Sequence, residues 1–442
     1  MKIGAKETKR GIEIVMGGKV SNIFYPEPIW NKFPKNLKEV LIDNLAYSKT
    51  MVTAIVDGIN KVEYETSTPL LKSFFDACCV KDIPRMPLDK NNGLKTQEVI
   101  KKFINSEYKF LKNEINYPYY DAEARDGAIL ALSFGKDSLL SYALLEEAGI
   151  QEQPVYIKDM FDYEAVIKDK LVNKFEKEFK KKIEVVQDDT DKLFVEKHDQ
   201  FNPLLTNAIN SYTLILLPFS YYNNYRYLVF GNERNLSYPF TNSDGFNGYA
   251  SYDQTNEWVN QQTAFMSILT SNKVKVFSPI EPIHNLATMK ILNSRYPQYA
   301  KYQITCPLED SKEGELWCGN CSECAKIYTI LKALNINVKE RGFKNDLLSK
   351  NYRGYFTLFD GENVLAYDKP KDSRDEQLLI FYLAYKNKAK GELMEEFKKK
   401  FLEEAKQRED ELHRKYLSVS DSETMPQEVK RRVIPILREE LS

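Results

Sequence analysis

One short polar run carries side chains suited to phosphate chemistry. Residues 133–138 read Ser-Phe-Gly-Lys-Asp-Ser and lie between an apolar segment and a helical pattern. Lys136 offers a point charge to a phosphate, the serine hydroxyls offer hydrogen bonds, and Asp137 is a carboxylate of the kind that Mg²⁺ prefers. The run therefore predicts a site for the phosphates of a nucleotide together with a magnesium ion.

A second chemically competent group is a set of four cysteines. Cys318, Cys321 and Cys324 form two overlapping Cys-x-x-Cys steps, and Cys306 lies upstream as a fourth ligand. Two-residue spacers let neighbouring thiolates bind one tetrahedral ion, so we expect a structural zinc site. An iron–sulfur cluster and disulfides remain as alternatives. Because four thiolates leave no open coordination position, such a zinc ion would support the fold rather than react.

The segments on either side of the polar run predict how it is positioned. Ala128–Leu132 is a short unbroken apolar run, typical of a buried strand in a parallel sheet. Apolar residues then recur at helical spacing from Leu139 to Leu145, and Gly149 is placed to end that helix. A turn between a strand and a helix directs backbone N–H groups and the positive end of the helix dipole at the same space.

Further apolar segments alternate with helical patterns over residues 119–335. Together with the first segment they predict five strands: Ile129–Leu132, Val155–Ile157, Ile183–Val186, Tyr227–Phe230 and Val274–Phe277. We therefore expect an α/β fold with a doubly wound parallel sheet.

Polar residues follow every one of these five segments. Since the carboxyl ends of parallel strands share one edge of a sheet, we expect the polar residues to converge on one crevice. Asn232, Glu233 and Arg234 come directly after the fourth segment. Arg234 can hold a carboxylate or a phosphate through two parallel hydrogen bonds.

On these motifs, residues 126–334 resemble the PP-loop ATP pyrophosphatases, whose loop has the common form Ser-Gly-Gly-x-Asp-Ser. Phe134 replaces the first glycine of that form, and it would be strained there if the position requires a positive φ. The resemblance implies that ATP is cleaved between its α and β phosphates, with AMP transferred to a substrate oxygen. It implies ATP binding by Ser133, Phe134, Gly135, Lys136, Asp137, Ser138 and Asn232, and catalysis by Lys136, Asp137, Glu233 and Arg234.

Two groups within that superfamily share the combination of loop and cysteine motif. One is the ATP-dependent UDP-N-acetylmuramoyl-L-alanyl-L-glutamate epimerases, which this chain resembles in its Asn-Glu-Arg at 232–234 and its Trp-Cys-Gly-x-Cys-x-x-Cys at 317–324. The other is the 7-cyano-7-deazaguanine synthases. Both resemblances imply adenylation of a substrate carboxylate. The stretch Asp253–Trp258 has neither the histidine nor the lysine of the epimerase pattern, so the fate of the adenylate stays open.

The rest of the chain predicts three regions: an N-terminal α+β domain over 1–118, the loop-bearing domain over 119–335, and a mainly helical region over 336–442. In the first region we expect a strand at Gly11–Met16, a turn at 17–18, and helices at 70–80 and 96–111. In the last we expect one amphipathic helix over 392–415. The aperiodic stretch 235–256 predicts either a lid or a disordered loop.

Composition limits the class of protein. The chain has 442 residues, 43% hydrophobic residues and a net charge of −1. This balance disfavours a nucleic-acid partner, and the apolar stretch at 212–219 is too short to span a membrane. We expect a cytoplasmic enzyme for a small-molecule or peptide carboxylate, with a protein partner as a further option through the N-terminal domain or the C-terminal helices. A nucleotide-binding sensor without turnover is the non-enzymatic alternative.

Overall fold

The computed structural model of the protein describes residues 1–86, 95–159, 162–194, 207–304 and 316–442. Within these ranges the strands are β1 Lys2–Thr8, β2 Gly11–Met16, β3 Lys19–Phe24, β4 Lys61–Tyr64, β5 Glu107–Phe110, β6 Arg125–Ala131, β7 Glu152–Lys158, β8 Glu184–Asp188, β9 Tyr225–Val229, β10 Phe240–Thr241, β11 Asn247–Gly248 and β12 Lys275–Phe277.

The α-helices of the same ranges surround the strands. They are α1 Glu27–Lys32, α2 Lys35–Thr50, α3 Thr53–Asp57, α4 Lys72–Asp82, α5 Thr96–Ile104, α6 Lys136–Glu147, α7 Asp162–Phe179, α8 Ala208–Asn223, α9 Asn256–Thr270, α10 Asn285–Ser294, α11 Pro297–Ala300, α12 Ser322–Ala333, α13 Lys371–Lys386, α14 Glu392–Lys400, α15 Leu402–Gln407, α16 Glu409–Tyr416 and α17 Gln427–Leu441. In the described part of the chain, no helix combines the length and apolarity that a membrane crossing requires.

All five strands predicted for the central region are present and form a parallel sheet in the order β12-β9-β6-β7-β8. The chain moves outward from β6 through β7 to β8 and then returns to place β9 on the other side of β6. This reversal is the topological switch point of a doubly wound sheet, where a crevice opens at the carboxyl ends of two adjacent strands. The α/β class is therefore confirmed, and the order of the strands is compatible with the doubly wound arrangement.

The N-terminal strands extend this same sheet. β3 pairs antiparallel with β8, the hairpins β3-β2-β1 continue the sheet, and β4 and β5 complete it in parallel to β1. The predicted strand at Gly11–Met16 is confirmed. Gly17 and Gly18 both have positive φ and form the two-residue turn into β3, a conformation that glycine adopts without steric cost.

Alternating side chains of the strands enter two apolar layers, as the period of a strand requires. Leu130, Val229 and Phe277 face the layer that contains α6, α10, α12 and the C-terminal helices. Ile129 and Leu228 face the opposite layer, which contains α8, α9 and much of the N-terminal region. One core is therefore shared between residues on both sides of position 118.

Two predicted helices differ from the structure. The helix expected over 96–111 ends at Ile104, and Glu107–Phe110 is strand β5, because its backbone pairs with β4 at the edge of the sheet. The single helix expected over 392–415 is three short helices. Breaks near Phe401 and Arg408 let the segment curve while Phe397, Leu402 and Leu412 all stay buried.

The stretch 235–256 is ordered, which excludes the disordered-loop interpretation. β10 and β11 pair as a small hairpin, and the Asn242 side chain donates to the carbonyl oxygen of Pro84 at 3.0 Å. Further along, the Arg85 guanidinium donates to the carbonyl of Ala250 at 3.0 Å. The N-terminal region therefore fixes the loop that follows the end of β9.

The shared sheet and core generate a first prediction. A chain that begins at residue 119 should fail to fold cooperatively, because it exposes the paired edge of β8 and half of an apolar layer. We expect aggregation, or a broad and weak thermal transition, where the full chain melts sharply by circular dichroism. A sharp transition in the shortened chain would show instead that residues 1–118 are a separate domain.

Candidate functional site

The polar loop lies at the switch point of the sheet. β6 ends at Ala131 and α6 begins at Lys136, with Gly135 as its N-cap. The first N–H groups of a helix have no acceptor within that helix, and the helix dipole adds positive potential at the same end. The loop therefore presents donors above the end of β6, which is the arrangement that binds an anion.

The two loop serines hold the turn closed. The Ser133 amide donates to the Ser138 hydroxyl at 3.2 Å, and the two hydroxyls lie 3.2 Å apart. The Ser138 hydroxyl also lies 3.1 Å from the carbonyl oxygen of Gly135. Both serines thus fix the shape of the loop, while Ser133 remains exposed to solvent.

Phe134 has a positive φ of 63°, the condition under which a side chain at this position is strained. Its ring is fully buried and forms an edge-to-face contact with Phe175, with ring centroids 5.9 Å apart. The carbonyl of Phe134 accepts a hydrogen bond of 2.8 Å from Ile304. The strain is therefore offset by burial, and the side chain points into an aromatic cluster with Tyr142, Phe175, Phe179, Tyr299 and Tyr302. Phe134 is buried as a whole residue, so its side chain does not reach a ligand in the crevice.

The end of β9 approaches the loop closely. A Cβ on Gly231 would lie 2.7–2.9 Å from backbone and Cβ atoms of Asp137, so only glycine fits there. The next residue, Asn232, is fixed through its backbone, because the Ser278 hydroxyl accepts from its N–H and donates to its carbonyl. The side-chain Nδ2 of Asn232 is buried and has no hydrogen-bond partner among the described residues. An unpartnered buried donor is costly, so this amide is free to donate to an acceptor on a ligand.

Lys136 is the electrostatic centre of the site. Its ammonium lies 2.8 Å from both carboxylate oxygens of Asp137 and 3.1 Å from Oε2 of Glu233. Burial works to lower the pKa of Lys136, but the two carboxylates raise it above its usual value, so the side chain stays a cation. Burial raises the pKa of Glu233 and the Lys136 ammonium opposes that shift. Asp137 is half-exposed and can face a ligand.

A second lysine lies in the same charged cluster. Lys326 on α12 contacts Glu323 at 2.8 Å and Asp368 at 3.2 Å, and its charge also acts on Glu233. The side chains of Lys326 and Asp368 are about as buried as that of Lys136. A second buried group of charges on α12, the helix that begins within the cysteine motif, thus influences Glu233.

Glu376, a side chain of the C-terminal region, orients the backbone that follows Glu233. Glu376 on α13 accepts from the Asn235 side chain at 2.7 Å and from the Leu286 amide at 2.8 Å. Burial raises the pKa of Glu376, and these two hydrogen bonds work against that shift. Glu376 therefore ties the turn at 234–237 to the start of α10.

Arg234 faces a different space from Glu233. It lines a cavity of about 180 Å³ together with Ser237, Tyr238, Tyr249, Thr255, Asn256, Glu257 and Glu423. Its Nε donates to the Tyr238 hydroxyl at 3.3 Å, and that hydroxyl lies 3.4 Å from Nε2 of His284. Burial, with Arg234 and Lys415 nearby, lowers the pKa of His284 to about 3, so the imidazole is neutral at neutral pH. The cavity thus has one fixed cation and acidic side chains at its rim.

Three of the four predicted metal ligands lie together. The sulfur atoms of Cys318, Cys321 and Cys324 are all within 4.8 Å of one another, which forms a possible metal site compatible with Zn²⁺. The Cys321 sulfur accepts from the Cys324 amide at 3.4 Å and so caps the first turn of α12. Cys306, the predicted fourth ligand, falls outside the described residues. The cluster fixes the start of the helix that carries Glu323 and Lys326.

The structure separates the polar residues that follow the strands into two sets. The residues after β6, β9 and β12 contact one another. Lys136 pairs with Asp137 and Glu233, and Ser278 is hydrogen-bonded to Asn232. Those after β7 and β8 have other partners: Lys158 contacts Asp169, and Asp188 contacts Lys49.

Cys78 and Cys79 are buried, as expected of packing residues.

Sequence reasoning missed four charged residues of the site: Glu323, Lys326, Asp368 and Glu376. Glu323 lies within the cysteine motif and Lys326 stands two residues after it, and their spacing of three places both on one face of a helix. The sequence therefore carried a local signal that Glu323 and Lys326 lie together. Asp368 and Glu376 come from a distant segment and carry no local signal.

Comparison with known proteins adds no family assignment. No protein-family model matches the chain, and no curated protein matches it either. The chemistry of the site therefore rests on its residues and their geometry.

The strained loop residue gives a second prediction. Phe134→Ala should destabilise the protein by about 3–5 kcal/mol, the usual loss for a buried Phe. Phe134→Gly loses the same ring but relieves a backbone strain of about 1 kcal/mol, so it should be the more stable of the two variants. Denaturant unfolding measures both. Since glycine is ordinarily less stable than alanine, a less stable glycine variant would contradict the role of the positive φ.

The cysteine cluster gives a third prediction. Purified protein should contain about one zinc ion per chain by elemental analysis, and Cys321→Ser should lose the metal and melt at a lower temperature. Cys78→Ala is the matched control, because this buried cysteine lies outside the cluster and its loss should leave the metal content unchanged. Visible absorption together with iron and sulfide would indicate an iron–sulfur cluster instead.

Proposed function

We propose that this protein is an enzyme that consumes ATP, releases pyrophosphate and forms AMP by adenylating a substrate carboxylate. The supporting observation is the loop at the switch point, where Lys136 and Asp137 meet Glu233 and Asn232 from the end of β9. This crevice is where ligands bind in sheets of this order. A loop that presents helix N–H groups, a buried lysine and a carboxylate matches a nucleoside triphosphate with a divalent cation.

The residues of the loop fit ATP and Mg²⁺. The first N–H groups of α6 and the Lys136 ammonium would bind phosphate oxygens, and Asp137 would hold the magnesium ion. The unpartnered Nδ2 of Asn232 would donate to an acceptor on the nucleotide. Bound magnesium would supply charge neutralisation at the phosphates.

The proposed reaction is an in-line substitution at the α phosphorus. A carboxylate oxygen of the substrate forms a bond to that phosphorus, and the bond to the bridging oxygen of the β phosphate breaks. Pyrophosphate leaves with the bonding electron pair, and the acyl-adenylate remains. Lys136 and the helix N–H groups stabilise the charge that develops, while the rigid crevice positions the two reactants.

Arg234 is the candidate ligand of the substrate carboxylate. It lies next to Glu233 in sequence but opens into the cavity of about 180 Å³, and the Tyr238 hydroxyl helps to fix its guanidinium. A guanidinium in such a place can hold a carboxylate through two hydrogen bonds and direct it at the phosphates.

The two family alternatives differ in the reaction that the acyl-adenylate undergoes next. In an epimerase-like reaction, adenylation acidifies the adjacent C–H, a base inverts that carbon, and water releases AMP. In a 7-cyano-7-deazaguanine synthase-like reaction, ammonia displaces AMP to give an amide, which a second ATP dehydrates to a nitrile.

The fourth prediction concerns the loop carboxylate. Asp137→Ala should abolish pyrophosphate release while the protein stays folded, because Lys136 keeps Glu233 as a partner. Asp126→Ala is the matched control, since Asp126 lies near the amino end of β6, the strand that leads into the loop, and pairs with Arg432 at the surface. Pyrophosphate and AMP are measured with each protein. Unchanged AMP formation in Asp137→Ala would show that the loop is not the catalytic site. ATP binding without turnover in the native protein would support a sensor.

A further inference from the structure

The cavity beside Arg234 is lined by charges of both signs that are not paired with one another. Arg234 lines it together with the carboxylates of Glu257 and Glu423. Within the described part of the chain, none of these three side chains forms an ion pair, and the Arg234 Nε donates to the neutral Tyr238 hydroxyl. Opposite charges therefore border one small space without neutralising each other.

The lining of this cavity carries an excess of negative charge. Two carboxylates oppose one guanidinium, and the neighbouring His284 is neutral at neutral pH because its pKa is lowered to about 3. Lys415 lies 5.8 Å from the centre of the Tyr238 ring, but it is paired with Asp372. A ligand with a carboxylate alone would bind Arg234 and be repelled by the two glutamates. A ligand that also carries a cation would satisfy both signs of charge.

Glu281 holds two walls of the cavity in place. This buried carboxylate accepts from the Asn256 side chain at 2.9 Å, from the Glu423 amide at 3.1 Å and from the Ser422 hydroxyl. Asn256 begins α9 and Glu423 precedes α17, so one side chain fixes the two segments relative to each other. The Ser237 hydroxyl, which also lines the cavity, accepts from the Asn256 amide at 2.9 Å. The cavity is therefore preformed.

The size of the cavity limits its occupant. Its volume of about 180 Å³ is below the roughly 300–1,000 Å³ of a site for a drug-sized ligand. Both charged groups of the occupant must therefore lie within a few bonds of each other. Tyr238 and Tyr249 supply apolar surface for the carbon atoms that join these groups.

We infer that this cavity selects a carboxylate substrate that also carries a protonated amine, which is the chemical class of a small amino acid. Arg234 binds the carboxylate, and Glu257 and Glu423 bind the ammonium. Glu281 is a positioning residue, because it acts through the backbone of Glu423. This inference rests on the proposed function, since it takes the cavity as the site of the carboxylate that is adenylated.

Two series of unbranched acids test this selectivity in the absence of ATP. Glycine, β-alanine, 4-aminobutyrate and 6-aminohexanoate carry an amine, and acetate, propionate, butyrate and hexanoate are their counterparts of equal chain length without it. Saturation-transfer NMR titrations with the full chain measure the affinity of each acid. We expect at least one amine-bearing acid to bind about tenfold more tightly than its counterpart, and Arg234→Met to weaken both.

Glu423→Gln should change the affinities of the two series in opposite directions. The best amine-bearing acid loses a charged partner and should bind about three- to tenfold more weakly, whereas its counterpart should bind more tightly because repulsion falls. Glu257→Gln should act in the same directions. Asp421→Asn is the matched control, because it removes the same charge two residues from Glu423, at an exposed position that does not line the cavity.

The outcomes separate this inference from the proposed function. Equal affinities for the two series, or no binding by any of the acids, would overturn the inference. A parallel loss of both series in Glu423→Gln would mean a merely structural role and would also overturn it. Pyrophosphate release is then measured with ATP, Mg²⁺ and the best-bound acid.

Selective binding of the amine-bearing acid without pyrophosphate release would count against adenylation and leave the selectivity of the cavity standing. Equal pyrophosphate release with the amine-bearing acid and its counterpart would support adenylation and overturn the inference.

Discussion

The buried contact of Lys136 with Asp137 and Glu233 is the interaction on which the site depends. It joins the loop after β6 to the end of β9, the two strands between which the chain reverses direction. Gly231 permits this approach, because any Cβ at that position would collide with Asp137. Charges of this kind are unfavourable in a protein interior unless each is paired, so the geometry of the loop and that of β9 constrain each other. Under the proposed function, a nucleotide that binds Lys136 must rearrange these pairs.

Distant parts of the chain supply the support for this centre. The Cys321 sulfur caps the first turn of α12, and the same helix carries Lys326, which pairs with Glu323 and Asp368. From the C-terminal region, Glu376 holds the turn that contains Arg234. In the N-terminal region, Arg85 and Pro84 hold the stretch 235–256 in place through hydrogen bonds to Ala250 and Asn242. The site therefore belongs to the whole chain, even though its reactive groups lie on one short loop and one strand end.

Local patterns predicted the parts of this molecule that local physics determines. The five central strands follow from short apolar runs, and the turn at Gly17 and Gly18 follows from backbone freedom. The strain at Phe134 was foreseeable from its replacement of a glycine, but the aromatic cluster that offsets it joins residues far apart in sequence. The same limit applies to β5, where pairing with β4 overrides helical spacing, and to Asp368 and Glu376, which only tertiary structure brings to the site. Sequence thus predicted the position of the loop between β6 and α6 better than the charges that surround it.

The most direct test of the account measures the products of ATP with Mg²⁺ in the presence of a carboxylate. Candidate acids are the muramoyl-L-alanyl-L-glutamate nucleotide and 7-carboxy-7-deazaguanine, each compared with no added acid. Hydroxylamine in parallel reactions captures an acyl-adenylate as a hydroxamate. The account predicts AMP and pyrophosphate in equal amounts, dependent on one acid, with a hydroxamate of that acid. Release of ADP and phosphate instead would contradict it, because cleavage would then occur between the β and γ phosphates.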